Sequence, residues 1–97
     1  MRVLVIDVGG TSVKLGLSGH KQVLKIPSGP DMTARRMAVA VKKATLGWKY
    51  DAVSIGYPGP VRNGKPSRDP HNLGAGWMSF DYRKAFGKPV DEIVSWK

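Results

Sequence analysis

The sequence predicts an α/β domain built on a mixed five-stranded sheet, with its elements in the order βββαβαβ. Its first three strand-like segments are separated by short turns, which suit antiparallel neighbours. Each of the last two strands follows a helix-like segment, the connection that parallel neighbours need. At 97 residues the chain is one domain or less, and it can enclose one modest core.

The first three strands carry different hydrophobic patterns. Residues 2–6 include four branched aliphatic side chains in a row and predict a strand buried on both faces. Residues 12–17 place apolar side chains at alternate positions, which predicts a half-buried strand returning antiparallel to the first. Residues 21–26 predict a third strand, and the lysines on one of its faces are typical of an edge strand.

A helix is predicted after the third strand. Asp31 or Thr33 can cap its N-terminus, and the helix runs to about Leu46, with Gly47 ending it. Four apolar residues at i, i+4, i+7 and i+11 form the stripe that we expect to face the core: Met37, Val41, Ala44 and Trp48.

The second half of the chain alternates a strand, a loop, a helix and a strand. Strands are predicted at residues 52–56 and 90–94, and a helix at residues 79–86. The loop between the fourth strand and this helix is long and rich in proline and glycine, and such loops usually belong to a site or to disorder. Tyr57 and Trp77 at the two ends of the loop favour a site.

A polar motif at residues 7–14, Asp-Val-Gly-Gly-Thr-Ser-Val-Lys, joins the first two strands. Asp7 ends an apolar run, where a carboxylate needs a cleft, a cation or a hydrogen-bonding partner. The glycines allow positive φ and let N–H groups converge into an anion site, to which Thr11 and Ser12 add hydroxyls and Lys14 a positive charge. Asp7 can hold a divalent cation through water. The motif predicts a phosphate cradle, and the alternative is a tight hairpin with a turn acid.

Two later segments supply groups suited to a hydroxyl-rich ligand. They are residues 55–61, Ile-Gly-Tyr-Pro-Gly-Pro-Val, and residues 70–77, Pro-His-Asn-Leu-Gly-Ala-Gly-Trp. Asn72 can donate and accept hydrogen bonds at once, as a pair of sugar hydroxyls requires. Taken alone, however, the segments favour a simple turn at residues 58–60 and an ordinary loop cap at Asn72.

The motif at residues 7–15 resembles the first phosphate motif of the actin-like, RNase H-like ATPase superfamily, and in particular that of the ROK sugar kinases. Residues 55–61 and 70–77 resemble the ROK sugar-binding segments, and the His-Asn-Leu-Gly-x-Gly-Trp form resembles the polyphosphate-glucokinase-like subgroup. The βββαβαβ order also matches the first lobe of the actin-like fold. The resemblance implies that residues 1–97 are a single partial domain, the N-terminal lobe of such a kinase, with the second lobe absent.

The resemblance also implies a role for each matched residue. The donor phosphates would lie around five residues: Gly9, Gly10, Thr11, Ser12 and Lys14. Asp7 would help to place Mg²⁺ through water, and the Gly59 backbone and the Asn72 side chain would meet glucose. The implied reaction is phosphoryl transfer to glucose from ATP or inorganic polyphosphate, with Mg²⁺ as cofactor.

The chain departs from the family pattern near its C-terminal end. The family places an Asn-Asp pair, which includes the catalytic aspartate, at the end of the strand that corresponds to residues 90–94. Here Asp91 and Glu92 come too early in that strand, and Ser95 is not a comparable base. The family's cysteine-and-histidine zinc motif and its second-lobe sugar ligands are also missing. We therefore expect a lobe that is inactive alone, and the alternatives are a noncatalytic phosphate- or sugar-binding module and one half of a split kinase.

Composition bounds the partners and the compartment. Sixteen basic and seven acidic residues give a net charge of +9, which attracts polyanions. No aromatic residue is interleaved among the cations of the first helix, which favours a solvated face over nucleic-acid binding. The absence of cysteine excludes disulfides and fits a reducing compartment. No apolar run approaches a membrane span, so a soluble cytoplasmic protein is expected.

Overall fold

A computed structural model of the chain describes residues 1–95. Two helices and seven strands follow one another in that range: β1 (Val3–Val8), β2 (Ser12–Leu17), β3 (Val23–Pro27), α1 (Ala34–Ala44), β4 (Ala52–Tyr57), β5 (Val61–Arg62), β6 (Lys65–Pro66), α2 (Tyr82–Phe86) and β7 (Val90–Ser95). Five strands form one sheet in the order β3-β2-β1-β4-β7, and β5 pairs only with β6. The predicted α/β class and mixed five-stranded sheet are confirmed. Of the predicted 1–97 unit, Trp96 and Lys97 lie outside the described residues.

Strand direction determines where a ligand can bind. The central strand β1 is antiparallel to β2 and parallel to β4, and β7 is parallel to β4. The carboxyl ends of β1, β4 and β7 therefore meet at one edge of the sheet. Ligands of open α/β sheets bind beyond that edge. The turn after β1 and the long loop after β4 both begin there.

The core lies on one face of the sheet. Leu4 and Ile6 of β1 are fully buried on this face, in one apolar cluster with Met37 and Val41 of α1. The other face of β1 is open, because Val5 is 43% exposed. The prediction that β1 is buried on both faces is therefore wrong for the part of the chain that the structure describes.

The first helix is shorter than predicted. Thr33 is the N-cap, since its hydroxyl oxygen accepts a hydrogen bond from the Arg36 amide at 3.1 Å, so Asp31 does not have this role. The helix ends at Ala44, where the sequence indicated an end near Leu46. Trp48 therefore lies beyond the helix, although it packs half-buried against the core as the stripe predicted.

The long loop contains a hairpin that the sequence reading missed. Strands β5 and β6 are joined by Asn63 and Gly64, whose φ angles are 53° and 73°. Positive φ at both central residues is the requirement of a type I′ turn, and Asn-Gly is its strongest sequence signal. The second helix is also shorter than predicted, because Asp81 caps it and Tyr82 begins it. Neither helix within residues 1–95 has the length and apolar character that a bilayer crossing demands.

Candidate functional site

The turn between β1 and β2 is held by backbone hydrogen bonding. The Gly9 amide donates to the Ser12 carbonyl at 2.9 Å. A Cβ atom at Gly9 would lie 2.8 Å from that same carbonyl oxygen, so this turn requires glycine for space. Neither Gly9 nor Gly10 has a positive φ, and the expected conformational reason for these glycines is therefore wrong.

Two amides at the tip of this turn are available to a ligand. Within residues 1–95, the amides of Gly10 and Thr11 donate to no backbone carbonyl, while the Gly9 amide is occupied by Ser12. The Thr11 side chain is exposed, and Gly10 and Ser12 are partly exposed. Free N–H groups at an exposed turn are the donors that a phosphate oxygen needs.

One row of residues crosses the sheet beside this turn. Pairing register aligns Lys25 with Lys14, Lys14 with Asp7, Asp7 with Gly56, and Gly56 with Val94. The row lies on the open face, where Asp7 and both lysines are exposed. The structure thus places the Asp7 carboxylate and the Lys14 ammonium group on neighbouring strands beside the turn, where both are accessible to solvent.

Asp7 is the predicted Mg²⁺ residue. Within residues 1–95, no group of three or more acidic, histidine or cysteine side chains is arranged to hold a metal ion. Mg²⁺ often keeps several waters and binds through one or two carboxylates together with substrate phosphates. A single exposed carboxylate beside an exposed turn fits that mode.

The second wall of the site is the loop from Pro58 to Trp77, which buried aromatic side chains hold in place. Tyr57 and Trp77 are both 0% exposed, and their ring centroids lie 5.9 Å apart. The Tyr57 hydroxyl donates to the Arg68 carbonyl, and the Trp77 indole N–H donates to the Gly74 carbonyl at 2.7 Å. Both rings are closed to a ligand, and they support the loop from beneath.

Two further polar contacts fix the end of this loop. The Asp69 carboxylate accepts a hydrogen bond from the Trp77 amide at 3.0 Å, and the Tyr82 hydroxyl donates to the Trp77 carbonyl at 2.7 Å. Burial, and to a lesser degree the Asp69 charge, raises the pKa of Tyr57 to about 12. Burial also holds the pKa of Tyr82 well above its ordinary value, with smaller contributions from Tyr57 and Asp69.

The two walls meet at Gly10 and Asn72. A Cβ atom at Gly10 would lie 3.3 Å from the Asn72 Cβ and 3.7 Å from its amide nitrogen. Asn72 is exposed, so its amide is accessible beside the phosphate turn. Gly59, at the start of the same loop, lies against the Tyr57 ring, where an added Cβ would approach Cε2 to 2.9 Å. The structure thus places Gly10 of the turn next to Asn72 of the loop, and it places Gly59 against the Tyr57 ring.

A third segment, residues 28–33, touches both walls. The Ser28 hydroxyl donates to the Gly9 carbonyl at 2.6 Å, and the Ser28 amide donates to the Thr11 carbonyl at 3.1 Å. At the other end of the segment, the Gly74 amide donates to the Met32 carbonyl at 2.9 Å. We call residues 28–33 the bracing segment. Nothing in the local sequence shows which carbonyls Ser28 will meet.

The end of β7 carries no carboxylate among the described residues. Asp91 lies in a bulge between the pairs formed by Val90 and Glu92, and it has no partner in β4. Glu92 pairs with Ser54, two residues before Val94 and hence about 6–7 Å along the strand from the row that contains Asp7. The placement confirms that both acids come too early in the strand to stand beside the turn.

The fold and the position of the turn define the N-terminal lobe of an actin-like ATPase fold. No family model and no curated protein sequence matches the chain. Among solved structures, the chain is similar to the ROK hexokinase from Thermus thermophilus, with 25% identity and a TM-score of 0.69. The similarity covers 98% of this chain and 35% of the hexokinase, so the chain spans about a third of that protein's length. The predicted ROK-like N-terminal lobe is supported, while the polyphosphate-glucokinase subgroup stays a prediction.

Proposed function

We propose that residues 1–97 form the N-terminal lobe of a ROK-type glucokinase that transfers a phosphoryl group from ATP or inorganic polyphosphate to glucose. The observation that carries the proposal is that Gly10 and Asn72 are neighbours, since a Cβ at Gly10 would lie 3.3 Å from the Asn72 Cβ, so the turn and the loop proposed to bind phosphate and sugar adjoin. Phosphoryl transfer requires donor and acceptor oxygens in line across a short gap. The structural similarity to a ROK hexokinase supports the assignment.

Each residue of the site then has a role in the proposed reaction. The turn amides of Gly10 and Thr11 and the hydroxyl of Ser12 bind donor phosphate oxygens, as does Lys14, with Gly9 shaping the turn. Asp7 orients the hydrated Mg²⁺ that accompanies the donor. These groups offset the negative charge of the transferring group, which is the main contribution that proteins make to this chemistry.

The Gly59 backbone and the Asn72 side chain bind glucose in the same proposal. An acceptor hydroxyl oxygen attacks the terminal phosphorus, the bond from that phosphorus to the bridging oxygen breaks, and the bridging oxygen leaves with the rest of the donor. The hydroxyl proton must pass to a base. No described carboxylate of β7 stands beside the turn, so the proposal takes that base from outside residues 1–95.

The 97-residue chain should therefore be inactive by itself. Removing a positioned general base alone costs on the order of 10² to 10⁴ in rate. The turn and the loop also form an open surface on a single lobe, so they do not exclude water from the reacting groups. We place the protein in the cytoplasm, in keeping with the expectation from its composition.

Binding measurements test the site independently of turnover. We expect Lys14→Gln to weaken the affinity for magnesium tripolyphosphate by about tenfold and to leave the glucose affinity unchanged, since a charge-assisted contact is lost. Asn72→Ala should show the reverse pattern. Isothermal titration of both ligands checks this. Lys21→Gln, which makes the same charge change at an exposed residue between β2 and β3, is the control. The proposal fails if Lys14→Gln and Lys21→Gln weaken tripolyphosphate binding equally.

The second candidate is a noncatalytic phosphate- or sugar-binding module, or one half of a split kinase. The open face of the sheet, with Val5 43% and Val94 44% exposed, favours an arrangement in which another chain covers it. A coupled assay for glucose 6-phosphate separates these ideas when the remaining part of the Thermus thermophilus hexokinase is supplied as a separate polypeptide. Restored turnover indicates a split kinase, and binding without turnover indicates the module.

A further inference from the structure

A second polar surface lies at the end of the sheet opposite the turn. It is a depression of about 910 Å³ between the start of β1, the end of α1 and the segment that leads into β4. The Asp51 amide donates to the Arg2 carbonyl at 2.8 Å, so the beginnings of β1 and β4 are joined there. Its volume lies in the range of ligand-binding clefts. Since the turn follows the carboxyl end of β1, this depression is separate from the proposed kinase site.

Four cationic side chains line the depression: Arg2, Lys42, Lys49 and Lys88. They come from the start of β1, the last turn of α1, the segment after α1 and the loop before β7. Asp51 is the one acidic residue in the lining, and its carboxylate accepts a hydrogen bond from the Arg2 backbone amide at 2.8 Å. A favourable interaction with the α1 dipole explains the position of Lys42, but it does not explain the positions of the other three cations. The convergence of the other three cations points to an anionic ligand.

Two aromatic side chains lie among these cations. Trp48 and Tyr50 line the depression, and each is half-buried against the core with part of its surface exposed. The sequence favoured a solvated face because no aromatic residue is interleaved among the cations of α1. The structure supplies the missing rings from the segment just after the helix. Cations and accessible aromatic rings together recognise phosphates and unstacked bases.

We propose that this basic–aromatic depression binds single-stranded nucleic acid. Lysine and arginine side chains contact the phosphates, while a base stacks on Trp48 or Tyr50. A duplex hides the faces of its bases, so it offers the depression only its phosphates. Inorganic polyanions likewise use the cations and leave the rings without a partner. The inference does not depend on the proposed kinase function.

Fluorescence anisotropy of labelled twelve-residue oligothymidylate tests this with the full 97-residue chain. We expect the affinity for the single strand to exceed that for a duplex of equal length. The logarithm of the single-strand affinity should fall with the logarithm of the salt concentration, at a slope of roughly −0.7 per phosphate contacted. Competition with thymidine monophosphate distinguishes a site for free nucleotide from a site for a polymer. If the site binds a polymer, the monophosphate should displace the oligothymidylate only weakly. Equal affinity for single strand and duplex would overturn the proposal.

Two pairs of variants locate the contact. Lys49→Glu should weaken oligothymidylate binding at least fivefold more than Lys65→Glu, which makes the same charge change in β6 beyond the opposite end of β4. Trp48→Leu should weaken it about fivefold or more while Trp48→Phe largely preserves it, since a stacking ring is lost only in the first. Circular dichroism checks that each variant is folded. Equal losses in the two lysine variants would mean that the net charge of +9 alone attracts the oligonucleotide, and the proposal would be wrong.

Discussion

The two walls of the proposed kinase site are built by different means. The turn at Gly9–Ser12 is shaped by backbone hydrogen bonds at the end of a two-stranded ladder, and its side chains are exposed or half-exposed. The loop wall is shaped by the buried rings of Tyr57 and Trp77, whose polar atoms hydrogen-bond to loop carbonyls. The turn therefore depends on local chain geometry, and the loop depends on the integrity of the core.

Among the substitutions that test this difference, replacing Trp77 should change the free energy of unfolding the most. Trp77→Ala removes a fully buried ring and the indole hydrogen bond to Gly74, so the free energy of unfolding should fall by about 3–5 kcal/mol. Met78→Ala, next to it but 49% exposed, serves as the control and should change stability by less than about 1 kcal/mol. Urea unfolding followed by circular dichroism measures both. A small effect of Trp77→Ala would show that the loop does not need its aromatic support.

Alanine substitutions at three glycines separate turn geometry from simple bulk. Gly9→Ala sets a Cβ 2.8 Å from the Ser12 carbonyl oxygen, so the backbone must shift, at a cost of about 1–3 kcal/mol. Gly10→Ala sets a Cβ 3.3 Å from the Asn72 Cβ, a less severe approach than at Gly9, so it should cost less while displacing Asn72 and weakening glucose binding. Gly16→Ala, whose nearest contact is 3.8 Å away, is the neutral control in unfolding experiments. Equal stability of all three variants would contradict a backbone-built turn.

Alkaline pH should destabilise the loop wall, which depends on buried tyrosines, and should leave the geometry of the turn unchanged. The pKa of Tyr57 is about 12 in the folded chain and about 10 when unfolded, so the folded state holds the phenol proton more tightly. Its stabilisation is complete below pH 10 and is lost as pH rises through 12. Burial raises the pKa of Tyr82 as well, so Tyr57→Phe should remove only the Tyr57 part of the alkaline decline. Asp69→Asn should lower the Tyr57 pKa by removing the smaller of its two causes. Absorbance titration of the phenolate reports the pKa, and unchanged titration in Asp69→Asn would refute that electrostatic contribution.

Lys14 should give the smallest change in stability. Its side chain is exposed on the open face of β2, where it lies opposite Asp7 in the ladder. Because exposed charge pairs contribute little, Lys14→Gln should alter the unfolding free energy by no more than about 0.5 kcal/mol. Urea unfolding of this variant beside the wild-type chain provides the measurement. A loss near that of Gly9→Ala would place Lys14 in the framework of the turn.

The contrast between the walls also explains what the sequence could predict. The order of the elements and the turn at residues 7–14 follow from local patterns, because alternation and glycine pairs act within a few residues. The Asn63–Gly64 hairpin has an equally local sequence signal, and the prediction of one long loop there missed it. The roles of the phosphate and sugar residues came from the family resemblance and stay predictions, and the structure places Gly10 and Asn72 next to each other.

Other features were beyond any local pattern. The burial of Tyr57 and Trp77 depends on where the core lies, which their positions at the ends of the loop do not reveal. The open side of β1 follows from α1 packing on one face only, which four aliphatic residues in a row do not reveal. Ser28 acts through two hydrogen bonds to the turn and Asp69 through one to the Trp77 amide, and no residue spacing encodes these contacts.

The bracing segment has a consequence for how accurately two ligands can be aligned. It is hydrogen-bonded to the turn through Ser28 and to the loop through Met32, so motion of the segment would move the two proposed ligand positions together. In-line transfer depends on the gap between the reacting oxygens and the phosphorus, and it is insensitive to a shared displacement. The lobe can therefore tolerate rocking of the whole surface while it keeps that gap nearly constant.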